Sequence, residues 1–330
     1  MDTTTLILTQ QDVARLVDIR SSIKAVHRAF VQQAQGQAQM PSKLYLQLPK
    51  GDFRAMPAAL FHPSSVGLKF VNVHPGNRKL GLPTVMAVML LNDPATGRPL
   101  AIMDGLLITK LRTAAAAAVA ADVLSRRDSR VVGLIGCGAQ ADAQMLALAA
   151  VRKLSEARVW GFVKGEAARF CAVMKRQLSK IRWQPVETIR DAARDADILV
   201  TLTPSRKPLV KSEWVADGTH INAVGADGPG KQELDVKLLR RAKVFVDDRD
   251  QAIHGGELNI PISRGQFNPR DIHAVLGQVL AAKASGRRSA REITLFDSTG
   301  LAIHDVALAQ VVYQQALKRR MGRKIQIFSP

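Results

Sequence analysis

The chain has 330 residues, 47% apolar and only 5% aromatic, with two cysteines and a net charge of +19. That size and apolar content support two hydrophobic cores, while two cysteines exclude a disulfide framework and fit a reducing compartment. The basic excess is spread along the chain without interleaved aromatics, so it points to solvated faces and a site for anionic small molecules and gives no support to a nucleic-acid partner.

In chain order, residues 10–36 carry helical periodicity through Val13, Leu16, Val17, Ile23, Val26, Ala29, Phe30 and Ala34. Residues 43–100 change character. Short apolar runs at 44–48, 67–73, 84–91 and 99–103 alternate with turn signals such as Pro49-Lys50-Gly51-Asp52 and His74-Pro75-Gly76-Asn77, which predicts an antiparallel sheet. The alanine-rich stretch 113–124 predicts a helix, opened by Arg112. Beyond it, strands at 130–135, 157–160, 198–202, 220–224, 244–247 and 292–296 alternate with helices at 142–151, 166–179 and 271–284. That alternation predicts a doubly wound parallel sheet. An amphipathic helix over 301–320 ends the pattern. The N-terminus lacks a basic segment followed by an apolar core, and no run approaches the ~18 apolar residues of a membrane span. A soluble, cytoplasmic protein with no membrane partner is expected.

The most informative stretch is Val131-Val132-Gly133-Leu134-Ile135-Gly136-Cys137-Gly138-Ala139-Gln140-Ala141. It reads as an apolar strand, then Gly-x-Gly-x-x-Ala, then a helix. Gly136 permits a sharp turn, Gly138 permits close approach of backbone to a pyrophosphate, and the helix N-terminus offers free N–H groups. A dinucleotide is therefore the expected cofactor. An NAD site carries an Asp or Glu about 20 residues past the glycines, but the second strand here ends Trp160-Gly161-Phe162-Val163-Lys164. With no acid at Gly161 and Lys164 nearby, NADP(H) is favoured over NAD(H).

On the substrate side, Lys43, Arg54, Lys69 and Arg112 stand in runs that are otherwise apolar or turn-like. Lys69 is costly on a core-like strand unless paired. An arginine fork such as that of Arg112 suits a carboxylate. Asp227 follows an apolar strand directly, in Gly225-Ala226-Asp227-Gly228. It falls at the carboxyl end of the sheet, where such folds place ligands, and is a candidate acid/base. No metal site is expected.

Together these passages resemble the ornithine cyclodeaminase/mu-crystallin family, over nearly the whole chain. The motifs include Gly81-Leu82-Pro83-Thr84, Leu111-Arg112-Thr113-Ala114, Gly136-Cys137-Gly138-Ala139-Gln140, Gly218-Thr219-His220-Ile221-Asn222-Ala223-Val224-Gly225-Ala226-Asp227 and Pro229-Gly230-Lys231-Gln232-Glu233-Leu234-Asp235. Pro41-Ser42-Lys43, Gly51-Asp52-Phe53-Arg54-Ala55-Met56-Pro57-Ala58 and Phe296-Asp297-Ser298-Thr299-Gly300 are closest to its archaeal-type alanine dehydrogenases. The resemblance implies a homodimer with a Rossmann domain over 116–300. It also implies an α+β substrate and dimerisation domain over 1–115, rejoined by 301–330. By family pattern Lys69 and Arg112 hold the substrate carboxylate, Asp227 is the acid/base, and Thr299 belongs with the substrate contacts. Thr84, Ala139, Gln140, Thr203, Val224, Gly225, Lys231 and Ser298 match cofactor positions, to which Arg112, Lys164 and Ala226 are added. The implied activity is an NAD(P)-dependent amino-acid dehydrogenase, most simply reductive amination of pyruvate and its reverse, with a 2-oxo or imino acid and ammonia as partners. An imine reductase acting on cyclic imines or iminosuccinate, a cyclodeaminase, and an NADPH-dependent binding protein of the mu-crystallin kind are the alternatives. Cyclodeaminases carry an arginine where Lys43 stands, which argues against ornithine cyclisation.

Overall fold

The computed structural model describes residues 3–327. The chain divides into two units, residues 1–112 with 301–330 and residues 113–300.

The first unit opens with strand β1 (Thr4–Leu8) and helices α1 (Gln10–Leu16) and α2 (Ile19–Ala34). The single helical run expected over 10–36 is thus two helices. Thr9 caps α1 and Asp18 caps α2, each in a reciprocal box with a side chain three residues on, so the chain has a local reason to stop and restart at Val17-Asp18. Strands β2 (Ala38–Gln39), β3 (Leu44–Leu48), β4 (Gly51–Phe61), β5 (Ser64–Val73), β6 (Val85–Asn92) and β7 (Pro99–Asp104) follow. β4 was not expected, because Asp52, Arg54 and Pro57 interrupt its apolar alternation. Neighbouring strands are antiparallel except β1, which runs parallel to β7.

Helix α3 (Leu106–Leu124) carries the chain into the second unit. It starts two turns before the alanine run, so Arg112 lies within the helix and does not open it. Gly105 and Asp104 start it, with Asp104 accepting from the N–H groups of Leu106 and Leu107.

The second unit holds β8 (Val131–Ile135), α4 (Ala141–Val151), β9 (Glu156–Trp160), α5 (Glu166–Gln177), β10 (Arg182–Pro185), α6 (Ile189–Ala193), β11 (Ile198–Thr201), β12 (His220–Ala223), α7 (Val236–Arg241), β13 (Ala242–Val246), α8 (Arg249–Gly255), α9 (Asn259–Ser263), β14 (Ile272–Val275), α10 (Leu276–Leu280) and β15 (Ile293–Asp297). Its eight strands are all parallel, in the order β10-β9-β8-β11-β12-β15-β13-β14. The doubly wound parallel sheet is confirmed. The helix expected over 271–284 is corrected to β14 followed by the short α10. Ile272 and Ala274 are buried and His273 is exposed, a period of two that the apolar content of the run concealed. Strand order reverses between β8 and β11, the position at which folds of this kind bind ligands beyond the strand ends.

The chain then returns to the first unit through α11 (Ala302–Arg319) and β16 (Arg323–Gln326). β16 pairs with β1, and α11 packs against α2 and across β4, β5 and β6. Its buried side, including Ile303, Val306, Leu308, Ala309 and Val312, seals one face of the sheet. Among the described residues no helix is long and apolar enough to cross a membrane.

Candidate active site

In the second unit, Gly136 ends β8 with φ +96°, a backbone conformation open to glycine. A side chain there would also press on Thr203 and Leu202 at 3.1–3.3 Å, where β11 ends. Gly138 faces open space, and Ala139 beside it is exposed. The first turn of α4 follows, with Gln140 as its N-cap. Two polar atoms near the strand ends are buried without a hydrogen-bond partner among the described residues: Gln140 Oε1 after β8 and Ser298 Oγ after β15. A sharp turn, an open backbone, a helix N-terminus and two unspent polar groups fit a dinucleotide.

Behind this rim lies a network of buried carboxylates that composition alone did not single out. Glu233 accepts from the hydroxyls of Thr201 and Thr203 at 2.7 Å each, from Thr203 N–H at 2.7 Å and from Gly225 N–H at 2.9 Å. It thereby ties the ends of β11 and β12 together, and Thr203 is positioned by it. A Cβ on Gly225 would stand 2.4 Å from Glu233 Oε2 and 2.2 Å from the Thr203 carbonyl oxygen, so this glycine exists to admit the carboxylate. Glu257 accepts from Glu233 N–H and Leu234 N–H, and Asp297 from Glu257 N–H at 3.0 Å. Burial pushes the Glu233 and Glu257 carboxyls up, and the charge of Glu233 pushes Glu257 further. Asp247 accepts from Thr299 Oγ1 at 2.8 Å and Gly300 N–H at 2.7 Å. The Thr299 hydroxyl is therefore engaged inside the unit.

Asp227 lies in the turn after β12, where it pairs with Lys231. Val224 and Ala226 are buried on either side of Gly225. The sequence thus places Asp227, Lys231, Val224, Gly225, Ala226, Thr203, Ser298 and the glycine loop around the carboxyl ends of one sheet. Lys164 is exposed in the turn after β9.

In the first unit, the cations gather on one face of the sheet. Arg54 is opposite Val71 and Met56 opposite Lys69, so Arg54 and Lys69 project from the same side. Lys69 is 1% exposed, and its Nζ donates to Asp305 Oδ2 at 2.8 Å. Arg112 Nε donates to the other oxygen of Asp305 at 3.0 Å. Burial lowers the Lys69 pKa to about 7, helped by the Arg112 charge and opposed by Asp305. The two cations in turn hold Asp305 below its usual range against its own burial. Arg54 clasps Asp52 through Nε at 2.8 Å and Nη2 at 3.2 Å, and lies over the Tyr45 ring. Lys43 is close enough for its charge to lower the Lys69 pKa. Thr84 also belongs to this unit, and its carbonyl accepts from His74 N–H at 2.8 Å. Sequence reasoning missed Asp305 and Asp52. Asp305 sits in the first turn of an amphipathic helix, where an acid reads as routine end-charge compensation.

Residues 3–320 match the model of the ornithine cyclodeaminase/mu-crystallin family. The chain belongs to this family. It is 52% identical to alanine dehydrogenase of Archaeoglobus fulgidus over 98% of this chain and 99% of that one. Among solved structures it superimposes on an archaeal alanine dehydrogenase dimer with bound NAD at a TM-score of 0.95, with 51% identity, covering 98% of this chain and all of the other. It also superimposes on Thermococcus litoralis Δ1-pyrroline-2-carboxylate reductase in complex with NADH and L-proline at 0.94, with 38% identity, covering 97% and 100%. The expectation of an oxidoreductase of CH–NH2 and imine groups is borne out by these family relatives.

The cofactor expectation is corrected. NADP(H) was favoured because no acid occupies position 161, yet the dehydrogenase structure carries NAD and the reductase structure NADH. An acid can reach the end of β9 from elsewhere in the sequence. Glu166 Oε2 stands 3.3 Å from where a Gly161 side chain would begin, so the end of β9 has a carboxylate in space that it lacks in sequence.

Proposed function

We propose that this chain is an NAD(H)-dependent alanine dehydrogenase, interconverting pyruvate plus ammonia and L-alanine plus water. The observation that carries this reading is the buried triad Lys69–Asp305–Arg112 in a chain 52% identical to an alanine dehydrogenase. Two fixed cations on one buried carboxylate form a rigid, water-poor grip for a single substrate carboxylate. Arg54 and Lys43 on the same face would polarise the neighbouring carbonyl or imine. Asp227 would give a proton to the departing hydroxyl as the imine forms and take one in reverse, with Lys231 holding its carboxylate in place. The hydride at Cα would be supplied or accepted by a nicotinamide held at the glycine loop. The glycine loop, Gln140, Thr203, Val224, Ser298 and Lys231 would hold that cofactor, and Thr84, Arg112 and Thr299 are assigned to the cofactor and substrate contacts by family pattern alone.

Asp52 also bears on the choice of substrate. Four cations are generous for one carboxylate, which favours a dicarboxylic imine. Asp52 on Arg54 and Asp305 shared by Lys69 and Arg112 offset part of that charge. With Lys69 also drawn toward neutrality near pH 7, the excess approaches the single charge of a monocarboxylate.

A homodimer in the cytoplasm completes the reading. One face of the first unit's sheet carries exposed Leu44, Leu46, Phe70 and Val88. Phe70 lies opposite both Ala55 and Val88, and Ala55 opposite Leu44, so these side chains form a continuous apolar surface suited to a second copy.

The deciding experiment follows NADH oxidation with pyruvate, glyoxylate, oxaloacetate and cyclic imines, with and without ammonia. Ammonia-dependent turnover of pyruvate, cut by about 10²–10⁴ in kcat on Asp227→Ala with the fold intact, is expected. Turnover confined to preformed imines would make it an imine reductase. Full turnover by Asp227→Ala would remove the acid/base role. NADH binding without any turnover would leave a binding protein.

A further inference from the structure

The end of β9 is unusual for a fold of this kind because the side chain that should meet the cofactor's adenosine ribose is missing. Gly161 has only hydrogen there, and a Cβ would meet Cys137 Sγ at 2.8 Å, Ala167 N at 3.2 Å and Glu166 Oε2 at 3.3 Å. The space is therefore already taken. Its occupants are the thiol from the middle of the glycine loop and the carboxylate from the first residue of α5.

The geometry points to Glu166 as the residue that selects NAD(H) over NADP(H), accepting from the ribose hydroxyls in place of an acid at position 161. This rests on the NAD(H) reading above. Three observations converge on it. The carboxylate lies where a strand-end side chain would project, and the residue is half-buried. It is anchored from both sides. Glu166 N–H donates to the Val163 carbonyl at 3.0 Å, Val163 N–H approaches Glu166 Oε2 at 3.5 Å, and the Cys137 thiol borders the same space. Burial foremost, with the Glu166 charge, pushes that thiol up to about 12, so it stays neutral beside the carboxylate. Finally, the thiol belongs to Gly136-Cys137-Gly138 itself, so the acid borders the loop that would receive the pyrophosphate.

The cations that suggested NADP(H) fall into place beside it. Lys164 is exposed, and Arg169 Nη1 lies 3.4 Å from a Cβ built on Gly165. Both are available at the surface, but a 2′-phosphate reaching for them would have to approach the fixed charge of Glu166. Like charges at that range repel. Gly161 and Glu166 thus form a coupled pair: the glycine leaves the room, and the glutamate uses it.

The test is calorimetric binding of ADP-ribose and 2′-phospho-ADP-ribose, which needs neither nicotinamide nor turnover. The wild-type protein should prefer ADP-ribose. Glu166→Gln keeps the shape and removes the charge. It should weaken ADP-ribose about tenfold and narrow or reverse the preference, the effect expected for losing one charged hydrogen-bond acceptor. Lys164→Ala should leave the wild-type preference within about twofold. If wild-type protein binds both ligands equally, the NAD(H) reading itself fails. If it prefers ADP-ribose and Glu166→Gln keeps that preference, the reading stands and the role of Glu166 is overturned. Should Glu166→Gln lose its circular dichroism signature, Glu166→Asp, which draws the carboxylate back by one methylene, must weaken ADP-ribose several-fold or the assignment falls.

Discussion

Lys69 and Arg112 meet on opposite oxygens of the same buried carboxylate, Asp305, at 2.8 and 3.0 Å. The three residues come from β5, α3 and α11. One acid from the end of the chain therefore fixes two cations contributed by its first third. Asp305→Asn preserves the shape and deletes the charge, leaving Lys69 and Arg112 buried without the carboxylate they share. Removing one member of a buried ion pair costs about 3–5 kcal/mol, and the shared acid makes the upper part of that range the expectation. Urea unfolding of the variant at neutral pH measures it. A loss below about 1 kcal/mol, the value of a surface pair, would show that the cluster is open to water.

The same cluster makes substrate binding pH-dependent in a definite direction. Lys69 has a folded pKa of about 7, below its ordinary 10.5. It is charged and able to hold a carboxylate below pH 7, and loses that charge as pH rises through 7. Affinity for an unreactive carboxylate such as oxamate should fall between about pH 7 and pH 9, by at most tenfold per unit. Lys69→Arg, charged throughout, should flatten the profile. The linkage to stability runs the other way. Between 7 and 10.5 the unfolded chain binds the proton and the folded one does not, so the penalty for burying charged Lys69 is greatest below 7 and eases as pH rises. A flat wild-type binding profile over this range contradicts the assignment of Lys69 as the carboxylate holder.

These groups show where sequence reasoning reaches and where it stops. The parallel sheet was legible because strand, glycine loop and helix follow one another locally, and the same locality exposed Asp227 after β12. Lys69 was legible as an anomaly, a charge on an apolar strand that needed a partner. Its partner was not, because Asp305 is 236 residues away and looks like a helix-end acid. Glu166 failed for a related reason. The spacing rule names a sequence position, whereas the ribose senses a position in space, and a turn with a glycine at each end moved the carboxylate five residues along without moving it far. β14 was read as helix because a short apolar run does not declare its period.

The apolar face of the first unit carries its own prediction. Phe70 and Val88 are 44% and 50% exposed on adjacent strands, a poor arrangement for water unless a second copy covers it. Phe70→Glu should convert a dimer to a monomer in light scattering coupled to size exclusion, because a charge at the centre of a symmetric apolar interface meets its own copy or is buried unpaired. Secondary structure should be retained, since Phe70 lies on the side of the sheet away from α11. A wild-type protein that is monomeric at micromolar concentration defeats the prediction outright.

His304 supplies a prediction about acid stability. It is fully buried beside the cation cluster, stacked edge-on against Phe30 at 4.3 Å, and neither ring nitrogen has a hydrogen-bond partner among the described residues. Burial foremost, then the Arg112 charge, lowers its pKa to about 3 from 6.5; Lys69 adds to the shift and Asp305 opposes it. In the unfolded chain it takes up a proton near 6.5, while in the folded protein it stays neutral until about 3. The unfolded state thus binds more protons across this window, and stability falls as pH drops, by up to about 1.4 kcal/mol per unit from this group. His220, buried and also lowered to about 3, adds a slope of the same sign. Glu233 and Glu257, both raised, act in the opposite sense and are common to every variant compared. His304→Leu removes one proton site without creating an unpaired polar group. Its unfolding free energy should exceed that of the wild type by a margin that is nearly constant above pH 7 and widens steadily from about pH 6 to pH 4. Parallel curves over that interval would mean that His304 is already hydrated or hydrogen-bonded in the folded protein.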